Sequence, residues 1–157
     1  MSRKRPDSED LIDRNVTRRI IGAFFECYNH LGYGQFESVY RKALLHEMNL
    51  RELTASEETS FDVRYKGVVV GLFRVDLLVE NRIVVEVKST PTLSAADRRQ
   101  LSNYLRVTGL EVGLLLHFGP EPRFERRINA ELFHSSRRPP RDADLAEHDP
   151  ASSGESG

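Results

Sequence analysis

The stretch Val75-Asp-Leu-Leu-Val-Glu-Asn-Arg-Ile-Val-Val-Glu-Val-Lys88 decides how this chain is read. Two runs of β-forming residues flank the turn residues Glu80, Asn81 and Arg82. Side chains alternate faces along a strand, so Glu86 and Lys88 share a face with Val84, while Ile83, Val85 and Val87 take the other. Packing then sets the register across the turn. A two-residue loop at Glu80-Asn81 would pair Val79 with Arg82 and send Asp76 and Glu86 to opposite faces. An odd loop of three residues, or a bulge, gathers Phe73, Val75, Leu77 and Val79 with Ile83, Val85 and Val87 into one apolar surface. That register sets Asp76 opposite Glu86, and Arg74 opposite Lys88.

Two apposed carboxylates repel unless one is protonated or a cation lies between them. Hard oxygen donors without clustered cysteine or histidine suit Mg²⁺ or Mn²⁺. Lys88, two residues past Glu86, is suited to neutralise charge building on a phosphate or to orient an attacking water. The same spacing also suits a salt-bridge ladder, Asp76–Lys88 and Arg74–Glu86, on a solvent-facing sheet.

Around this hairpin the periodicity predicts helices and further strands. Ile12, Val16, Ile20, Phe24, Tyr28 and Leu31 recur at helical spacing from about residue 10 to residue 31. Gly32 and Gly34 end that helix. A second helix is expected from Phe36 to Arg51, then a strand from Thr59 to Tyr65, a turn at Lys66-Gly67, and strands over 68–79 and 82–89. Ser94, with Asp97 three residues on and Leu93 before it, has the form of a capped helix start. That helix ends at Gly109, and the apolar run 112–118 reads as a strand covered on both faces. Residues 121–133 read as either a short strand or a helix at the edge. The order α-α-β-β-β-α-β gives an α/β (α+β) class with a mixed sheet. Its first three strands form an antiparallel meander, and the third helix crosses over to a parallel partner.

Composition bounds the rest. At 157 residues, 39% of them hydrophobic, there is one domain with material left over. We divide the chain into a disordered N-terminus at 1–9, a domain at 10–134 and a disordered acidic tail at 135–157. Residues 139–157 sum to −4, so the overall −1 leaves +3 for 1–138. A mildly basic domain permits nucleic-acid binding without demanding it. Arginine pairs at 18–19, 98–99, 126–127 and 137–138 read as solvated helix faces and ends. The single Cys27 excludes an internal disulfide and a cysteine-rich zinc site, and its apolar setting makes it a buried structural thiol. Neither a signal-peptide pattern nor an apolar run of about 18 residues is present, so a cytoplasmic protein with no membrane partner is expected.

Two motifs together give a resemblance. Gly34-Gln-Phe-Glu37-Ser-Val-Tyr40 fits the pattern GxxExxY, and Val75-Asp76 with Glu86-Val87-Lys88 fits the PD-(D/E)XK pattern. Over roughly residues 10–130 the chain resembles the GxxExxY protein family, a branch of the PD-(D/E)XK nuclease-like superfamily. The resemblance implies a restriction-endonuclease-like α-β-β-β-α-β core. It also implies metal ligation by Glu37, Asp76, Glu86 and the Val87 carbonyl, with Lys88 as the catalytic lysine beside Asp76 and Glu86. Gln100 and Tyr104, one helical turn apart, match supporting positions of some branches, and Arg74 is a further supporting candidate. On its own, Glu37 also reads as a first-turn residue favoured by the helix dipole. Tyr40 reads as core, Tyr104 as core or site, and His46 and His117 as structural. Asp97-Arg98 departs from the His-Glu that members often carry there. Val75 stands where the superfamily name has Pro.

The resulting expectation is a Mg²⁺-dependent (or Mn²⁺-dependent) nuclease that hydrolyses phosphodiester bonds of DNA (or RNA), with DNA placed ahead of RNA. The alternative is a non-catalytic nucleic-acid-binding or regulatory module on the same fold. A homodimer with a shared basic cleft would supply the charge that one copy lacks. A purely structural domain would instead keep Glu37 far from Asp76.

Overall fold

The computed structural model describes residues 8–129 and 131–132. The tail at 135–157 lies outside the described residues, as do residues 1–7 of the N-terminus, and the first helix already begins at Ser8. The elements are α1 (Ser8–Leu31), α2 (Glu37–Leu50), β1 (Ala55–Tyr65), β2 (Val68–Val79), β3 (Ile83–Lys88), α3 (Ala95–Thr108), β4 (Val112–Phe118) and β5 (Pro122–Ile128). One sheet runs in the order β1-β2-β3-β4-β5. Only β3 and β4 are parallel, as the α3 crossover requires; the other pairs are antiparallel.

The sheet has helices on both faces. Val16, Ile20 and Phe24 of α1 and Tyr40, Leu44 and Met48 of α2 pack on Leu77, Val79, Ile83, Val85, Val87, Leu114 and Leu116. Leu101 and Leu105 of α3 pack on Leu78, Val84 and Leu115 from the other side. Between these layers, Ile83–Val87 and the whole of β4 are buried. Leu93 packs beside α3. Ser94 caps that helix through Asp97 N (3.1 Å), and Asp97 answers from Oδ2 to Ser94 N (2.9 Å). Gly109 stops it at φ 71°.

Three expectations need correction. Strand β1 starts at Ala55, four residues before Thr59: Ala55, Ser56 and Glu57 pair with Val79, Leu78 and Leu77, and the polar Glu57 side chain is met by Arg41. Residues 122–128 take the strand alternative, as a fifth strand on β4, so it is the helical reading of the pair Arg126 and Arg127 that changes: they lie on a sheet edge. Most consequential, Phe73 and Val75 do not continue the surface of Leu77 and Val79. Val75 packs with Leu78, Val84, Leu101, Leu105 and Leu115, and Phe73 stacks on Tyr104 (centroids 4.5 Å, interplanar angle 6°). The cause lies in pairing. Strand β2 leaves β3 after Leu77↔Val85, and from there it pairs with β1 alone. Two-stranded ribbons twist more strongly than wide sheets, so the ribbon coils toward α3.

Candidate active site

The turn after β2 has the odd length that packing demanded. Val79 pairs with Ile83 across Glu80, Asn81 and Arg82, with Glu80 and Asn81 both at φ 53°. That register brings Asp76 and Glu86 together where the strands part. Glu86 Oε1 accepts a hydrogen bond from Asp76 N at 3.2 Å, and Asp76 Oδ2 accepts one from Val87 N at 2.7 Å. Glu86 is 4% exposed. Burial, and then the charge of Asp76, push its carboxyl up to about 9.

The salt-bridge ladder does not form. Arg74 is exposed and makes no side-chain hydrogen bond or ion pair among the described residues. Lys88 turns to α3, donating to Gln100 Oε1 at 3.1 Å and standing 3.9 Å from Asp97 Oδ1. Gln100 Nε2 in turn donates to the Tyr104 hydroxyl at 2.8 Å. Tyr104 is therefore both packing and polar contact: one ring face lies on Phe73, and the hydroxyl fixes Gln100. Burial and the nearby Glu86 raise its pKa. Burial of Asp97 opposes its ionisation, but hydrogen bonds from Ser94 and the positive Lys88 bring its pKa below the usual value.

Glu37 opens α2 and accepts a hydrogen bond from Ser89 N, one residue past β3, at 3.4 Å. It thus stands at the end of the strand that carries Glu86 and Lys88. Among the described residues, however, no three His, Cys, Asp or Glu side chains are gathered closely enough to hold a metal ion. Asp76 and Glu86 form a pair; Glu37 stands beside the pair without closing a triad. The Val87 backbone touches Asp76 through its amide, and its side chain is in the core.

The GxxExxY segment has a physical sense here. Gly34 takes φ 108°, which a side chain would resist. The buried Tyr40 stacks on Phe118 (centroids 4.0 Å), and its hydroxyl ties the turn, donating to Gly32 O and accepting from Gln35 N at 3.2 Å. His117 is buried with Nε2 on the Thr90 carbonyl, so it fits a structural role, although its Nδ1 has no hydrogen-bond partner. His46 is exposed and does not fit that role. Cys27 is buried, and its thiol is pushed up to about 11, chiefly by that burial.

Sequence reasoning missed two neighbours of Asp76. Arg41, one helical turn after Glu37, is mostly buried and faces Glu57 Oε1 (2.8 Å), Glu58 Oε1 (3.5 Å) and Asp76 Oδ1 (3.9 Å). Glu58 sits at φ 51°, and the β1–β2 ladder is interrupted where Glu58 meets Asp76. Left-handed backbone at a non-glycine residue costs about 1–3 kcal/mol, and such strain gathers at functional sites. No sequence pattern marks that position.

Residues 14–128 match the family model of the PD-(D/E)XK nuclease superfamily. No curated protein matches the chain. Among solved structures, the chain is similar to the crystal structure of SSO0001, with 17% identity over 69% of this chain and 52% of the other, at a TM-score of 0.45. It therefore spans about half the length of that protein. It is also similar to Hjc of Archaeoglobus fulgidus, a Holliday junction resolvase, with 22% identity over 59% of this chain and 77% of that one, at a TM-score of 0.37.

Proposed function

We propose that this chain, which belongs to the PD-(D/E)XK nuclease superfamily, hydrolyses phosphodiester bonds of nucleic acid, DNA rather than RNA, with Mg²⁺ or Mn²⁺. The supporting observation is the Asp76–Glu86 pair: a 4%-exposed carboxylate set against a second acidic residue. A buried carboxylate whose proton affinity is raised so far is stabilised either by a proton or by a hard cation. Carboxylate and carbonyl oxygens suit such a cation by their chemistry, and Glu37 would have to close on the pair to complete the set. Asp76 and Glu86 would hold it, and Glu37 and the Val87 carbonyl would join them. When bound, the cation supplies Lewis-acid polarisation of the phosphate and lowers the pKa of a coordinated water.

The chain's own groups supply the rest. Lys88, held by Gln100 and Asp97, presents an ammonium to a non-bridging phosphate oxygen as negative charge grows there. Tyr104 keeps the Gln100 amide turned so that its oxygen faces Lys88. Arg41 balances the acidic residues behind Asp76. We further assign the chain to the GxxExxY branch. The support is that Gly34, Glu37 and Tyr40 each have a separate task in shaping and tethering the segment. A cytoplasmic setting agrees with the single buried thiol.

The test is Mg²⁺- or Mn²⁺-dependent cleavage of a panel of DNA and RNA substrates, with Lys88→Ala and Asp76→Ala as controls and calorimetry for the ion. Neither cleavage nor ion binding would leave the alternative of a non-catalytic nucleic-acid-binding module. The open arrangement of Glu37 relative to the pair favours that second reading.

A further inference from the structure

Beside the acidic pair, the turn that carries Glu37 presents an aromatic ring to solvent. Phe36 is 82% exposed, more than any other large hydrophobic residue among those described. Isolated exposed apolar residues are common and need no explanation. Phe36 differs in three respects. It occupies the N-cap of α2 with no side-chain cap hydrogen bond. Ser, Thr, Asp and Asn are the stabilising residues there, so the chain forgoes local stability to put an aromatic ring at that position. The turn beneath it is fixed by the buried Tyr40 hydroxyl, which holds Gly32 and Gln35. Phe36 also immediately precedes Glu37, whose carboxylate reaches the end of β3. Tyr33, 46% exposed, belongs to the same turn. A local rule broken next to a reactive pair points to a functional reason.

We infer that Phe36 stacks on an unpaired nucleobase flanking the phosphodiester that is cut, so that the preferred substrate carries a splayed or single-stranded nucleotide there. This rests on the nuclease reading above. Aromatic rings stack on any base, because every base has a π face, and such contacts bind single strands with little sequence preference. Bases in a continuous duplex are stacked on one another and closed to Phe36. Stacking also suits this domain, whose +3 charge over residues 1–138 is a weak electrostatic footprint for a duplex.

The experiment compares the wild type with Phe36→Ala, Phe36→Leu and Phe36→Trp. The probes are oligonucleotides carrying 2-aminopurine, either unpaired in a single-stranded flap or paired in a continuous duplex. Ca²⁺ replaces Mg²⁺ so that binding is read without cleavage. Stacking predicts quenching of the unpaired 2-aminopurine by wild type and Phe36→Trp. Quenching is lost in the alanine and leucine variants, whose affinity for these probes falls about 5- to 150-fold. Duplex affinity and calorimetric Mn²⁺ binding stay unchanged in all four proteins. Equal quenching by wild type and Phe36→Ala overturns the stacking inference and leaves the nuclease reading intact. So does equal loss on flap and duplex. Full retention by Phe36→Leu, with concentration-dependent sedimentation, would overturn it in favour of an apolar contact between two copies. A wild type that binds no nucleic acid removes both readings.

Discussion

Asp76 and Glu86 are linked across parting strands by paired contacts: the Asp76 amide donates to the Glu86 carboxylate at 3.2 Å, and the Asp76 carboxylate accepts from the Val87 amide at 2.7 Å. Side chains thus take over where backbone pairing ends at Leu77↔Val85. The arrangement holds the buried Glu86 carboxyl against the partly exposed Asp76, which is costly without a cation.

That cost gives a pH dependence. Burial and the charge of Asp76 push the Glu86 carboxyl up to about 9 in the folded protein, from the ordinary 4.5 of the unfolded chain. Below 4.5 it is neutral in both states and carries no penalty. As pH rises from 4.5 toward 9, the unfolded state sheds the proton while the folded state retains it, so stability falls, by at most about 1.4 kcal/mol per pH unit. The melting temperature of ion-free protein should drop by several degrees between pH 5 and pH 8. Glu86→Gln should flatten that slope, raise the melting temperature at pH 8 and abolish Mn²⁺ binding. A wild-type slope that survives in Glu86→Gln would assign the titration to another group.

Lys88 and Gln100 make a separable pair. Losing the ammonium removes a donor aimed at developing charge, a loss of about 10²–10³ in kcat. Lys88→Ala should therefore cleave at that reduced rate while binding Mn²⁺ as the wild type does. Gln100→Ala frees the ammonium without removing it, so its loss should be smaller, about tenfold, and Tyr104→Phe smaller again. Single-turnover rates at saturating substrate measure this order. Gln100→Ala falling as far as Lys88→Ala would make Gln100 a direct substrate contact.

What could be read in the sequence was what repeats at short range. Leu77, Val79, Ile83 and Val85 share a face, and that alone dictated the three-residue turn and the meeting of Asp76 with Glu86. The Ser94–Asp97 capping box was equally local. Phe73 and Val75 were misassigned because alternation assumes a straight strand, and this strand coils once β3 no longer pairs with it. Arg41 was missed because its partners Glu57, Glu58 and Asp76 come from two other elements, and charge complementarity across elements has no period. Glu58 was opaque for another reason: a positive φ at glutamate is imposed by its surroundings, not by propensity.

Arg74 is exposed and has no ionic partner among the described residues, on the ribbon beside the acidic pair. An unpaired guanidinium there suits a phosphate. Arg74→Ala should weaken nucleic-acid binding evenly across sequences and lower the slope of log K against log salt by about 1. Salt titrations by fluorescence anisotropy measure it. An unchanged slope would show that Arg74 meets no phosphate.

Arg41 completes the electrostatics behind Asp76. It is 18% exposed and shared by Glu57, Glu58 and Asp76, so it already neutralises part of the charge that a divalent cation would meet. Removing it leaves Glu58 and Asp76 without that cation and leaves Glu57 with the exposed Lys42 alone, at 3.7 Å. Arg41→Ala should destabilise ion-free protein by about 1–3 kcal/mol, less than a fully buried pair because solvent reaches the site. The same loss should tighten Mn²⁺ binding, because the ion no longer competes with a guanidinium for Asp76. Added Mn²⁺ should then raise the melting temperature of Arg41→Ala more than that of the wild type, as expected when a ligand binds only the folded state. Arg41→Lys keeps the charge but not the planar fork that spans separate carboxylates, so it should fall between the two. Calorimetry and thermal melts with and without Mn²⁺ decide the matter. Equal Mn²⁺ affinity in wild type and Arg41→Ala would mean that the guanidinium and the ion do not share Asp76.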